Sequence, residues 1–250
     1  MNSELLKRIE DLISQTERKC ILSHSAFLDA AESAEAALFL RRQSGVSYAF
    51  SGGYEDAERK MLFILPDYID EEYFTPDEYI TAVRVSHTFG ELTHRDYLGS
   101  LMGLGIKRET LGDILVLENR AYIICTAMIS GYILTNLEKI GRVGVKCEEC
   151  SLSEIEIPAP VFDEVTGTVA SLRADALTSL AFGISRTVAA DMIRDGKLSL
   201  NHIELLNPAE DISEGDLLSL RGFGRAKLAE IGGTSKKGRQ FITFNVFSKK

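Results

Sequence analysis

The most informative part of the sequence is LRADALTSLAFGISRTVAADMIRDGKLSLNHIELLNPAEDISEGDLLSLRG, from Leu172 to Gly222. Ser185 is a typical N-cap residue, Ala189 and Ile193 recur at the spacing of one buried helix face, and Gly196 can take the left-handed conformation that ends a helix. The pattern predicts a short helix, a second helix that begins at Ser185 and ends at Gly196, and a strand after it.

Two arginines lie near the two ends of the second helix. Arg186 and Arg194 are eight positions apart, so they differ by about 80° around the helix axis and can share one face, with Lys197 just beyond the turn. A planar guanidinium can pair with phosphate through two hydrogen bonds, and helix N-termini add amide donors. This face therefore predicts contact with a phosphate backbone.

The same segment resembles the alpha-L RNA-binding motif, the module named after ribosomal protein S-four. The residues that carry the resemblance include Asp175 and Leu177, the buried positions of the second helix, and the Gly215-Asp216 turn. Asp191, Asp195 and His202 depart from the usual pattern of this module. The resemblance implies that RNA is bound by Arg173, Ser185, Arg186, Thr187, Arg194, Lys197 and Asn201.

Further basic residues follow in RGFGRAKL and SKKGRQ, spaced around glycines. Such residues can grip an RNA backbone or keep a loop soluble, and we favour RNA because they share a domain with the basic helix face. The residues concerned are Arg221, Arg225, Lys227, Lys236, Lys237 and Arg239.

The charge distribution supports this interpretation, although the net charge of −9 alone argues against a nucleic-acid partner. Residues 1–164 hold 16 basic and 28 acidic side chains, whereas residues 165–250 hold 12 basic and 9 acidic ones. Concentration of basic charge at one end is typical of a module that meets a polyanion.

The order of the predicted elements divides the chain into three parts, with Pro158 and Pro160 as a linker before the third. Residues 1–73 carry two helices and two strands, VSYAF and KMLFIL, and residues 74–157 carry elements in the order βαββαβ. The sequence therefore predicts an α+β protein of three small domains. These are an N-terminal helical and β unit (1–73), a central ferredoxin-like, RNA-recognition-like domain (74–157) and a C-terminal alpha-L RNA-binding domain (165–250).

His94-Arg95-Asp96 has the look of a kinase catalytic loop, but the context excludes it. A metal-binding Asn should stand five positions after the Asp, and that position is Leu101. The alternatives are a structural one, in which Thr93 caps a helix and Asp96 pairs with its first turn, and RNA contact. A second candidate RNA contact comprises Arg59, Lys60, Arg95, Lys107 and Arg108.

Neither the glycines nor the cysteines of this half indicate a cofactor. Gly99 and Gly103 lie within the predicted helix rather than ahead of one, so they favour close helix-to-sheet packing over a phosphate loop, and Gly105 is a helix stop. Cys147 and Cys150 form a single CxxC pair without a second pair to complete a zinc site. We expect no catalytic residue, no metal, no cofactor and no small-molecule substrate.

The segments GGYEDAERKMLFILPDY, LTHRDYLGSLMGLGIKRETLGDILV and KIGRVGVK resemble the YlmH-type proteins, which are RNA-binding proteins of Gram-positive bacteria encoded beside cell-division genes. The resemblance implies a non-enzymatic protein that binds ribosomal RNA and tRNA. Related quality-control proteins with the same module bind the large ribosomal subunit carrying a stalled peptidyl-tRNA, so ribosome rescue is the favoured role.

Two alternatives remain open. Pseudouridine synthases and some RNA methyltransferases carry the same module, although the sequence holds neither a Gly-Arg-Leu-Asp segment nor a G-x-G loop after a strand. The second alternative is a protein that interacts with cell-division factors.

The first residues are charged throughout and no apolar run approaches about 20 residues, which predicts no membrane insertion and a cytoplasmic protein.

Overall fold

The computed structural model describes residues 3–159 and 161–247. The chain forms two compact units, Met1–Pro158, called the N-terminal unit from here on, and Ala159–Lys250, called the C-terminal unit. Pro160, part of the predicted linker, and the last three residues of the predicted C-terminal domain lie outside the described residues.

The first segment of the N-terminal unit is a three-stranded antiparallel sheet with two helices. Its elements are α1 (Ser3–Lys19), β1 (Ser23–Leu28), α2 (Ala30–Leu40), β2 (Ser47–Ser51) and β3 (Lys60–Leu65). The strand order is β1-β3-β2, so the apolar strand β3 lies in the centre. A capping box begins α2, because Asp29 accepts from the Glu32 amide and Glu32 accepts from the Asp29 amide, both at 2.8 Å.

The second segment has the βαββαβ order that the sequence predicts. Its elements are β4 (Ile80–Ser86), α3 (His94–Gly103), β5 (Leu111–Val116), β6 (Arg120–Thr126), α4 (Ala127–Asn136), β7 (Lys139–Ile140), β8 (Val143–Gly144) and β9 (Lys146–Cys150). All pairs in the main sheet are antiparallel and the order is β5-β6-β4-β9, which is the ferredoxin-like arrangement. The predicted last strand RVGVKCEE is instead divided, since β7 and β8 form a separate small hairpin before β9.

These two segments share a hydrophobic core. Phe27 and Phe63 of the first sheet pack in one buried cluster with Ile80, Tyr122 and Ile124 of the second. A separate cluster lies between the second sheet and helices α3 and α4. The N-terminal unit is therefore continuous across residue 73, where the sequence predicts a boundary, and the division into 1–73 and 74–157 stays a proposal.

The C-terminal unit packs two helices on one face of a six-stranded antiparallel sheet. Its elements are β10 (Phe162–Val169), α5 (Ala174–Phe182), α6 (Arg186–Arg194), β11 (Leu198–Leu200), β12 (Ile203–Leu205), β13 (Leu217–Leu220), β14 (Gly224–Thr234) and β15 (Gln240–Phe247). The strand order is β10-β15-β14-β13-β11-β12. Leu177 and Ile193 of the helices pack against Leu218, Leu228 and Phe244 of the sheet. Within the described residues no helix is both long and apolar enough to cross a membrane.

The glycines predicted in and after α3 behave differently from one another. Gly105 has a φ of +79° and follows the helix, which confirms its interpretation as a stop. The packing role predicted for Gly99 and Gly103 is wrong, because a Cβ atom at either position would meet nothing within 4 Å. Both glycines are exposed and face open space rather than the sheet.

Candidate nucleic-acid interface

Asp175, in the first turn of α5, is the centre of a charged cluster in the C-terminal unit. Arg186 donates two hydrogen bonds to it, from Nε to Oδ2 at 2.9 Å and from Nη2 to Oδ1 at 3.0 Å. Arg173 donates a third, from Nε to Oδ1 at 3.4 Å. Asp175 is 7% exposed, whereas half of the Arg186 side chain, 52%, is exposed. The cluster holds Arg186 in one orientation at the surface.

The electrostatics of this cluster favour the ionised form of both partners. Burial alone would raise the pKa of Asp175, but the hydrogen bonds from Arg186 and Arg173 outweigh it and hold that pKa below its usual value. The hydrogen bond to Asp175 raises the pKa of Arg186. The salt bridge is therefore formed throughout the neutral pH range.

Arg186 lies beside a groove of about 500 Å³ between β10 and the two helices. Arg239, immediately before β15, lines the same groove and donates from Nε to the hydroxyl of Thr168 at 3.0 Å and from Nη2 to the Thr168 carbonyl. Two of the predicted RNA-binding arginines are thus brought to one concave surface, each held by hydrogen bonds.

The basic face of α6 carries its own counter-charges. Arg194 donates from Nη1 to Asp191 at 2.9 Å, and Lys197 donates from Nζ to Asp195 at 2.9 Å. The two aspartates that depart from the alpha-L pattern are the ones that pair with these cations. Exposed pairs of this kind are weak, so a phosphate can compete for each cation.

Ser185 and Thr187 begin helix α6. The Ser185 hydroxyl accepts a hydrogen bond from the Val188 amide at 3.2 Å, which confirms the predicted cap. Thr187 is exposed in the first turn. Both side chains lie at the helix end where amide donors face outward.

Asn201, one of the predicted RNA-binding residues, stabilises the turn after β11 through its side chain. Its φ is +49°. Its side-chain Nδ2 donates to the Asp216 carboxylate at 2.8 Å, and its side-chain Oδ1 accepts from the Leu217 backbone amide at 2.9 Å. The next residue, His202, has a φ of +70°. The turn therefore uses two successive left-handed residues that are not glycine.

The remaining basic residues of this unit lie along the sheet. Arg225 is placed over the ring of Phe247, with 5.7 Å from its guanidinium carbon to the ring centroid. The others are exposed: Arg221 after β13, Lys227 in β14, and Lys236 and Lys237 in the turn before β15.

In the N-terminal unit, the second predicted set of basic residues divides in two. Arg59 and Arg108 are half-buried, and both donate to the Leu111 carbonyl. Lys107 is exposed and lies 3.8 Å from Glu109, and Arg95 is exposed on α3. Lys60 is half-buried at the start of β3.

His94-Arg95-Asp96 has a structural role in this part of the chain. The Asp96 carboxylate accepts from the Thr93 amide at 2.8 Å and from the Thr93 hydroxyl at 2.6 Å, and these bonds lower the pKa of Asp96. The tripeptide therefore begins helix α3. Within residues 3–159 and 161–247, no three His, Cys, Asp or Glu side chains come together as a group that could hold a metal ion.

Comparison with known proteins identifies the family. A family model described as "YlmH, N-terminal" matches residues 1–69, and one described as "Putative RNA-binding domain in YlmH" matches residues 76–154. A relative from Bacillus subtilis (strain 168), the "Ribosome-associated protein quality control protein P2", is 36% identical over 81% of this chain and 79% of its own length. The chain belongs to the YlmH family.

A solved YlmH structure gives the same result. The "Cell division protein ylmH from Streptococcus pneumoniae" is 27% identical and covers 62% of this chain and 93% of its own, with a TM-score of 0.52. The resemblance to YlmH-type proteins expected from the sequence is thus confirmed, as is the mixed α and β character of the fold. The RNA-binding domain of the YlmH family falls on residues 76–154, in the N-terminal unit.

The sequence did not indicate that Asp175 organises Arg173 and Arg186, because Arg186 belongs to α6 and reaches Asp175 only through the packing of α5 on α6. The role of Thr168 in holding Arg239, 71 residues further along the chain, was missed for the same reason. Arg173, the N-cap residue of α5, is a near neighbour of Asp175 in sequence. The only signal for the first in the sequence was the acidic residue Asp175 two positions after Arg173.

Proposed function

We propose that this protein is a non-catalytic RNA-binding protein that binds structured ribosomal RNA, tRNA or both on the large ribosomal subunit and acts in the rescue or quality control of stalled translation. Its partners are then ribosomal RNA, the large subunit and, as a further candidate, peptidyl-tRNA. The family, its RNA-binding domain and the name of the Bacillus subtilis relative support this proposal. A cytoplasmic location follows from it.

The observation that carries the proposal is the bidentate pair between Arg186 and the nearly buried Asp175, beside an open groove that Arg239 also lines. A guanidinium that is fixed in orientation but half-exposed loses little entropy when it binds phosphate. Together with the predicted alpha-L module, this geometry suits recognition of an RNA backbone by the C-terminal unit.

The test is titration of the full chain with ribosomal RNA at several salt concentrations. Arg186→Ala should weaken binding and reduce the slope of log affinity against log salt by about 0.7 to 0.9 for the phosphate contact that is lost. Arg8→Ala, which removes an exposed arginine from α1, is the matched control and should change neither. Salt-insensitive binding by the unmodified chain would overturn the proposal.

Sedimentation with ribosomes, followed by mapping of the cross-linked RNA, identifies the subunit and shows whether tRNA is present. The alternative of an RNA-modifying enzyme, either a pseudouridine synthase or a methyltransferase, is favoured instead if incubation changes a base in the RNA or if S-adenosylmethionine copurifies. A cell-division interaction factor is favoured if the chain binds division proteins and leaves ribosomes unbound.

A further inference from the structure

Two arginines of the N-terminal unit meet on one backbone oxygen. Arg59 donates from Nε to the Leu111 carbonyl at 3.0 Å, and Arg108 donates from Nη1 to the same oxygen at 2.9 Å. Arg59 also donates from Nη2 to the Phe27 carbonyl at 2.9 Å, and Arg108 from Nη1 to the Gly112 carbonyl at 3.0 Å. Two positive charges are therefore fixed within a few ångströms of each other.

No carboxylate of the described residues forms an ion pair with either guanidinium. Asp113, which follows Gly112, is occupied by other donors: the Tyr54 hydroxyl at 2.8 Å, the Glu58 amide at 2.7 Å and the Arg59 amide at 3.2 Å. This differs from the C-terminal unit, where Arg186 and Arg194 each have an aspartate partner. Asp113 acts on Arg108 through space, in the direction that raises the Arg108 pKa, but it forms no direct ion pair with it, so the arginine pair retains part of its positive potential.

The titration behaviour of neighbouring groups is consistent with that potential. Burial and then Arg59 lower the pKa of Arg108, and burial and then Arg108 lower the pKa of His94, the first residue of α3. Asp113 and Glu58 act in the opposite direction on His94 but do not cancel the effect. An anion placed here would relieve repulsion between the two guanidiniums.

Part of each guanidinium is open to a ligand. Among residues 3–159 and 161–247, nothing accepts from Arg59 Nη1 or from Arg108 Nε and Nη2, and none of these atoms is a buried donor without a partner. Each of the three donors therefore keeps some surface accessible to solvent, while the other nitrogens fix both side chains on the backbone. Guanidiniums held in this way bind a phosphate with little loss of side-chain freedom.

We propose that Arg59 and Arg108 together bind one phosphate group of an RNA backbone, with His94 beside it. The inference rests on the proposed function, which it extends by placing a phosphate contact in the N-terminal unit. The two arginines come from the separate segments GGYEDAERK and GIKRETLGD, which the fold brings together at Leu111.

The first test compares RNA binding by variants of the full chain. Arg108→Gln should weaken binding roughly tenfold at low salt and reduce the salt slope by about 0.7 to 0.9. Arg142→Gln, which removes an exposed charge from the turn between β7 and β8, is the control and should have no such effect. If Arg186→Ala weakens binding but folded Arg108→Gln does not, the proposed function stands and this inference fails.

The second test uses the unmodified chain, because Arg108 also holds backbone carbonyls and its variants can lose stability. The pKa of the His94 imidazole, followed by NMR, should rise when a short RNA is added, since a phosphate beside it stabilises the protonated ring. No change in the His94 pKa on saturation with RNA would overturn the inference. A rise with millimolar inorganic phosphate that RNA does not displace would also overturn it, in favour of a site for free phosphate.

Discussion

Arg186 and Asp175 are joined by two hydrogen bonds, although they stand eleven positions apart in sequence and lie on different helices. The pair fixes the N-terminus of α6 against the first turn of α5. It also determines the direction in which the Arg186 guanidinium faces. One interaction therefore contributes both to the fold of the C-terminal unit and to its candidate RNA contact.

Replacement of Asp175 by Asn should lower the free energy of unfolding by about 1 to 3 kcal/mol, because two charge-assisted hydrogen bonds to a nearly buried group are weakened. Urea denaturation measures this change. Asp191→Asn, which breaks an exposed pair, is the control and should cost less than about 0.5 kcal/mol. Equal losses of unfolding free energy in the two variants would show that the Asp175 pair stabilises the fold no more than an exposed ion pair does.

The same residue gives a pH dependence whose sign is defined. The folded-state pKa of Asp175 lies below its value in the unfolded chain, so its contribution to stability is complete above the unfolded pKa of about 3.9. The contribution is lost as the pH falls through the folded-state value. Acid unfolding of the wild type should thus be steeper below about pH 4 than that of Asp175→Asn.

Removal of the aspartates on the face of α6 should strengthen RNA binding. Asp191→Asn and Asp195→Asn each release a cation from its partner, and each should raise affinity by about twofold to fivefold at low salt and steepen the salt slope. Glu230→Gln, in β14, removes one negative charge elsewhere in the unit and serves as the control. Unchanged affinity in the Asp191/Asp195 double variant would show that RNA does not contact this face.

Two glycine substitutions should change stability in opposite directions. Gly99→Ala adds a methyl group in open space on α3 and should stabilise the protein by about 0.5 to 1 kcal/mol, since alanine favours a helix. Gly52→Ala should destabilise it by at least about 1 to 3 kcal/mol, because its Cβ would overlap Ala57 and the Arg59 carbonyl. Thermal unfolding of both variants checks the contrast.

The four cysteines should differ sharply in reactivity with a thiol reagent. Cys20 is exposed, whereas burial raises the pKa of Cys125 to about 12 and that of Cys147 to about 11, so their reactive thiolates are scarce. Mass spectrometry after brief alkylation of the native protein should find Cys20 modified first. Early modification of Cys125 would show that the second sheet opens readily.

The sequence predicted most helices and strands correctly where apolar periodicity was strong, as in KMLFIL and in the helix that begins at Ser185. It missed β1, SHSAFL, because this strand has little β-branched or alternating character and forms through pairing with β3. Tertiary contact thus overrode local preference there.

For the candidate site, residue type and spacing supplied candidate RNA-binding arginines in the C-terminal unit but not their partners within the fold. Arg186, Arg194 and Lys197 each pair with an aspartate. Helical spacing could suggest Asp191 as the partner of Arg194, three positions away, but not Asp175 as the partner of Arg186. Likewise Arg59 and Arg108 stand 49 positions apart in the chain and meet only because both reach the Leu111 carbonyl. Such long-range pairings depend on the packed fold.

The aspartates along α6 have a consequence for selectivity. A helix face whose cations are already paired attracts any polyanion only weakly, because few counterions are released when a phosphate chain approaches. Productive binding then requires an RNA whose shape presents several phosphates at the right positions at once. Under the proposed function, such a face would leave most nucleic acids of a cell unbound and would bind the few whose folded form presents phosphates at these positions.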